Sequence, residues 1–222
     1  MRFYAVRPKR RQRRKRTKIA LYTVAFNLSE LRRHDSSFDY FCKNHCEYNY
    51  SGSCGQKCNE KGEYGRLLYI WHQQGYLIRF FKTFNHLINT ERYGNIDIKE
   101  AITRHKLLLV EIEDYLLKGD LRKFFISLYK NPSSKEYHPE CKFKSHLLHP
   151  EFENWIRIYA VKYKDNDLDI ENYIITGGAI KLVEKMSDSA VVEYEEQKQD
   201  IVIKYLIDNN LATREEIEKL IL

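Results

Sequence analysis

Apolar and polar positions alternate with two different periods in different parts of the chain, and that difference predicts its elements. Residues 19–26 (IALYTVAF) form a nearly unbroken apolar run, rich in β-branched and aromatic side chains, which is the pattern of a buried strand. Ser36-Ser37 is a candidate cap for a helix over 38–44. Between 64 and 86 the spacing becomes helical through Leu67, Leu68, Trp71, Leu77, Ile78, Phe81 and Phe84, with Gly75 expected to split it into two helices. A further amphipathic helix is predicted over 97–118 through Ile98, Ile102, Leu108, Leu109, Ile112 and Leu116, followed by a short helix over 121–129.

After the proline-bounded loop 131–140 the period falls to two. Segments 155–163 (WIRIYAVKY) and 172–182 (NYIITGGAIKL) read as antiparallel neighbours joined through KDNDLDIE, and 142–148 as a shorter third strand. Gly177-Gly178 inside a strand marks a bulge or a close backbone approach rather than a phosphate cradle. The tail is helical over 191–209, and Thr213 with Glu216 matches a capping box for a last helix. The expected fold class is α+β: a small antiparallel sheet (strands near 19–26, 142–148, 155–163 and 172–182) packed with helices. One domain spanning 19–222 would hold a Cys-rich loop over 42–62 and a helical insertion over about 77–130.

Composition adds a core and a charge asymmetry. With 43% hydrophobic and 14% aromatic residues in 222, the chain can bury a core, and it has no uncharged apolar run long enough to span a bilayer. No signal-peptide pattern follows the basic start, so a cytoplasmic location without membrane contact is expected. Of the net +7, residues 1–18 hold ten cations and no acid, leaving 28 cations against 31 acids elsewhere. Segment 1–18 is expected to be a disordered basic arm that orders on a polyanion, with Arg7, Lys9, Arg10, Arg11, Arg13, Arg14, Lys15, Arg16 and Lys18 on nucleic-acid phosphates. A localisation signal, a membrane-surface patch and a solubilising tail are the plainer alternatives.

Cys42, Cys46, Cys54 and Cys58 read C-x3-C-x7-C-x3-C, a spacing that could present four sulfurs to a structural zinc, close two disulfides, or leave reduced thiols in a loop. His138, Cys141, His146 and His149 form a looser group that more readily arises by chance in a surface loop. No phosphate-binding glycine loop, zinc-protease motif or nucleophile elbow is present. Asp165, Asp167 and Asp169 fall on a turn that they solvate. The hairpin carries Arg157, Lys162, Lys164 and Lys181 with Tyr159 and Tyr163; such a face could hold RNA by charge and stacking, or could be the ordinary solvent side of a half-buried sheet.

These elements resemble the RelE/ParE toxin superfamily of bacterial and phage proteins. The resembling features are the strand IALYTVAF, a helix opening with Ser36, Phe38 and Phe41, a second helix ending near Gly75, and the strings I-R-I-Y-A and I-T-G-G-A-I-K-L. The resemblance implies an antitoxin or other protein partner and a metal-independent ribonuclease in which Arg157 and Lys181 grip the scissile phosphate while a 2′-hydroxyl attacks in line. The chain departs from that pattern in its helical insertion, its Cys-rich loop, and an acidic helix where a Tyr or His acid would follow the last strand. The competing expectation is a non-catalytic nucleic-acid-binding protein, or a structural component of a phage or mobile element, with a structural zinc.

Overall fold

In the computed structural model the described residues are 1–7, 18–25, 62–118, 121–127, 137–142, 153–165, 170–183 and 190–211. Six strands form one sheet: β1 (Arg2–Arg7), β2 (Lys18–Ala25), β3 (Phe125–Ser127), β4 (Tyr137–Lys142), β5 (Ile156–Asp165) and β6 (Ile170–Ile180). Their order is β1-β2-β6-β5-β4-β3. The helices are α1 (Gly62–His72), α2 (Gln74–Thr83), α3 (Asn85–Ile88), α4 (Ile98–Lys118), α5 (Leu121–Phe124) and α6 (Ala190–Asp208), with a 3-10 turn at Glu91–Tyr93. The fold class is α+β, as its sequence pattern predicts.

Strand alternation sorts the core into two halves. Leu21, Tyr173, Ile175, Ile158 and Ala160 pack with Leu67, Trp71, Phe81, Leu109 and Ile112 of the α1, α2 and α4 layer. The intervening Tyr22, Val24, Ile174, Val161 and Tyr163 pack with Val202 and Leu206 of α6. Helices therefore flank the sheet on both sides.

The antiparallel β5–β6 hairpin agrees with the predicted pairing, from Ile156↔Ile180 to Asp165↔Ile170. Its register shifts at Tyr159/Ala160, leaving Thr176 as the extra residue beside Gly177-Gly178, so the expected bulge is present.

Several expectations are corrected. The sheet is mixed rather than antiparallel, because β2 runs parallel to β6 from Lys18↔Ile170 to Thr23↔Ile175. The strand expected over 142–148 is β4, five residues earlier, fixed by pairing with β5 from Tyr137↔Tyr163 to Cys141↔Tyr159. The start of the expected arm is a strand: Arg2–Arg7 is an edge strand paired with β2, and its Phe3 is buried against α6. The run 8–17 joins β1 to β2 and lies outside the described residues.

Residues 121–129 were expected to be one helix. The helix stops at Phe124, because Phe125 pairs with Lys142 and stacks on Tyr173 at 5.2 Å between ring centroids. The α1–α2 break falls at Gln73, whose extended backbone (ψ 108°) interrupts the helix, and Gly75 lies inside α2. Helix α4 starts where predicted, capped by the Asp97 Oδ1 that accepts the Glu100 N–H at 2.7 Å. The helices expected over 38–44 and from Thr213 lie outside the described residues.

Candidate phosphate-binding site

The segment Glu153–Asn154–Trp155 enters β5 and is held rigidly. The Trp155 ring stands edge-on to Phe81 and Tyr93 at 5.5 and 5.6 Å, and its indole N–H donates to His105 Nδ1 at 3.3 Å. Asn154 Oδ1 accepts the Ile156 N–H at 2.8 Å. Each of these three residues then fixes one cationic residue. Arg92 donates from Nε and NH2 to the two Glu153 oxygens at 2.6 and 2.5 Å. Arg157 donates from NH1 to the Asn154 and Ile156 carbonyls at 2.8 and 3.0 Å. The Lys181 N–H donates to the Trp155 carbonyl at 2.7 Å.

The four side chains Arg92, Glu153, Arg157 and Lys181 carry a formal net charge of +2. The hydrogen bonds from Arg92 hold the Glu153 carboxyl below its ordinary value against the opposing effect of burial, and the charges of Arg157 and Lys181 add to the lowering. Burial pushes the neighbouring Tyr93 phenol up to about 12, so it stays a neutral donor to the Leu182 carbonyl at 3.0 Å. Arg92 lies 5.3 Å over the Tyr93 ring, and Arg104 donates to the Tyr93 carbonyl at 3.1 Å. The helical segment that carries Arg92, Tyr93 and Arg104 thus supplies one wall of the corner.

Arg157 and Lys181, distant in sequence, are brought together here. The other hairpin cations are not. Lys18 pairs with Ile170 and Lys164 with Glu171, so the ends of the basic run and Lys164 share the opposite end of the sheet. Arg157 and Lys164 are seven residues apart on one strand, roughly 23 Å. Lys162 sits 3.6 Å from Glu171 and 5.7 Å from the Tyr173 ring centre. Tyr159 and Tyr163, two residues that could have stacked on bases, are both fully buried beneath the helices on either side of the sheet.

Cys42, Cys46, Cys54, Cys58, His146 and His149 lie outside the described residues, as do Lys9, Arg10, Arg11, Arg13, Arg14, Lys15, Arg16, Asp167 and Asp169. His138 and Cys141 lie on β4. Among the described residues no three His, Cys, Asp or Glu side chains form a metal-holding group. No described helix is long and apolar enough to cross a membrane.

A second charged cluster lies beyond the last β2–β6 pair, where β2 parts from β6. Lys198 of α6 donates to Glu63 Oε2 and Glu195 Oε1, both at 2.9 Å. Arg66 donates to Glu63 at 2.6 Å and stands 3.5 Å from Glu195. Glu195 also accepts the Gly178 N–H at 3.0 Å, tying α6 to the bulge. Burial would raise the Glu63 carboxyl, but Arg66 and Lys198 outweigh it and the net shift is downward; burial dominates for Glu195, whose shift is upward. The two acids and two bases cancel, and the cluster bolts α1 to α6.

Sequence reasoning missed Arg92 and Glu153, which stand in unrelated segments with no motif around them. It also missed this buried quartet, whose Glu63/Arg66 and Glu195/Lys198 pairs have the i,i+3 spacing of common surface pairs.

By fold and site this is an α+β protein with helices on both faces of a mixed six-stranded sheet and a cationic corner at one end. Comparison with known proteins matched no family model, no curated protein and no solved structure.

Proposed function

We propose that this protein binds nucleic acid, with Arg157 and Lys181 on a backbone phosphate and the basic run between β1 and β2 adding sequence-independent affinity. One observation carries the reading. NH1 of Arg157 is anchored on two backbone carbonyls, while its Nε and NH2 donate to no described residue. An anchored guanidinium with open donors is a preorganised phosphate fork.

The ribonuclease version adds one step. A ribose 2′-hydroxyl gives its proton to water and attacks the adjacent 3′-phosphodiester in line; the P–O5′ bond breaks, leaving a 2′,3′-cyclic phosphate, and the departing 5′-oxygen takes a proton from water, while Arg157 and Lys181 stabilise the charge that develops on the phosphoryl oxygens. Its support is the convergence of these two cations and their resemblance to the RelE/ParE pair.

The test is fluorescence anisotropy of a labelled single-stranded RNA, with cleavage followed on the same oligonucleotide. Arg157→Ala and Lys181→Ala should each weaken binding about tenfold, the loss of about 1.4 kcal/mol expected for a charge-assisted bond, with both variants still unfolding in one cooperative urea transition. Wild-type affinity in both variants would sink the proposal. Binding without cleavage would remove the ribonuclease version alone.

A further inference from the structure

The cationic corner contains a carboxylate that a phosphate-binding role does not require. Glu153 receives both donors of Arg92 in the two-pronged geometry by which a guanidinium holds a planar oxyanion. Its neighbour Asn154 anchors Arg157, and the next residue, Trp155, anchors the backbone of Lys181. The Glu153 carboxylate is therefore an anion already seated among the three cations at this end of the hairpin. Both partners of the pair are about one-third exposed, so an incoming anion can reach them without unfolding the core. Exposed pairs of this kind contribute only about 0–1 kcal/mol, so a phosphate carrying its own charge-assisted bonds can compete for Arg92.

We propose that Arg92 is a third phosphate ligand and that Glu153 is its built-in competitor, occupying the guanidinium until a nucleic-acid phosphodiester displaces it. The inference rests on the phosphate reading of Arg157 and Lys181. It assigns to the helical insertion a direct part in binding and to Glu153 the setting of affinity. The pair keeps Arg92 aligned in the free protein, and every bound phosphate must first part it from Glu153.

The experiment uses the full chain and a labelled single-stranded RNA, with affinity measured across a salt series. Glu153→Gln should tighten binding about tenfold at low salt. It should also steepen the slope of log K against log[salt] by about 0.7, the signature of one more phosphate contact on a single strand. Arg92→Gln should weaken binding and flatten the slope by about the same amount. In the Arg92→Gln background, Glu153→Gln should no longer tighten binding. A gain that persists without Arg92 reflects net charge only and overturns the proposal, as does unchanged affinity in Glu153→Gln with a wild-type urea midpoint. If Arg157→Ala also binds as wild type, the underlying phosphate reading has failed; if Arg157→Ala is weakened while Glu153→Gln is silent, only the Arg92–Glu153 inference has.

Discussion

Gly177 offers a sharp test of the buried quartet. A Cβ built there would stand 1.7 Å from Glu195 Oε2 and 2.9 Å from its Cδ, a distance that real contacts do not tolerate. In Gly177→Ala the carboxylate must withdraw. Its bond to the Gly178 N–H, 3.0 Å in the native protein, is then lost, at a cost of about 1.5–3 kcal/mol for a charge-assisted bond in the interior. The salt bridge to Lys198 is strained as well; its outright loss would cost about 3–5 kcal/mol and sets the ceiling. The stiffer unfolded chain returns about 0.4–1 kcal/mol.

The net expectation is a destabilisation of about 2 kcal/mol, or roughly 1 M in urea midpoint at an m-value near 2 kcal/mol/M. Equilibrium urea unfolding of a double-mutant cycle isolates the cause. In Glu195→Ala the obstacle is gone and the nearest remaining atom is Lys198 Cδ at 3.5 Å, an ordinary contact. There Gly177→Ala should change stability by less than about 0.5 kcal/mol, giving a coupling of about 2 kcal/mol. Equal penalties in the two backgrounds, or a negligible one in wild type, would refute this account of the bulge.

Two further outcomes follow from other parts of the fold. His105 is fully buried among Trp71, Phe81 and Trp155, and burial chiefly, with His72 and Lys106 adding, pulls its pKa down to about 3. The unfolded chain takes up that proton from near pH 6.5 downward while the folded chain resists it, so stability is lost as pH falls through this window. Urea titrations at pH 7 and 5 should show wild type losing up to about 1.4 kcal/mol per pH unit more than His105→Gln, and identical pH profiles would exclude the effect. Replacing the seven cations of 8–17 with serine, rather than deleting residues 1–18 and with them β1, should flatten the salt slope of RNA binding by about 5; an unchanged slope would remove the basic run from the interface.

The elements legible in the sequence are those whose pattern is set locally. The run 19–26, the 97–118 helix and the 155–163/172–182 hairpin all form close to where periodicity places them, because each buries one stripe or two faces that the chain displays on its own. β1 was hidden because RFYAVR adjoins the basic run, and only pairing with Val24 and Thr23 gives its Phe3 and Tyr4 a place in the sheet. β3 was hidden for the same kind of reason, since three residues become a strand only when β4 lies alongside. Half of the candidate site was legible: Arg157 and Lys181 were named from the strings around them, while Arg92 and Glu153 were not.

By itself the amino-acid order determined the α+β class, the central hairpin, its glycine bulge and the concentration of cations at the start of the chain. These depend on near neighbours, through 2- and 3.6-residue periods and on charge density. The tertiary structure alone decided the parallel β2–β6 pairing, the covering of both sheet faces, and which charges meet. Charge meetings such as Arg92 with Glu153, or Lys198 with Glu63, join residues 61 and 135 positions apart. No local period encodes such a distance; only the packing of helices on a shared sheet brings those side chains within bonding reach.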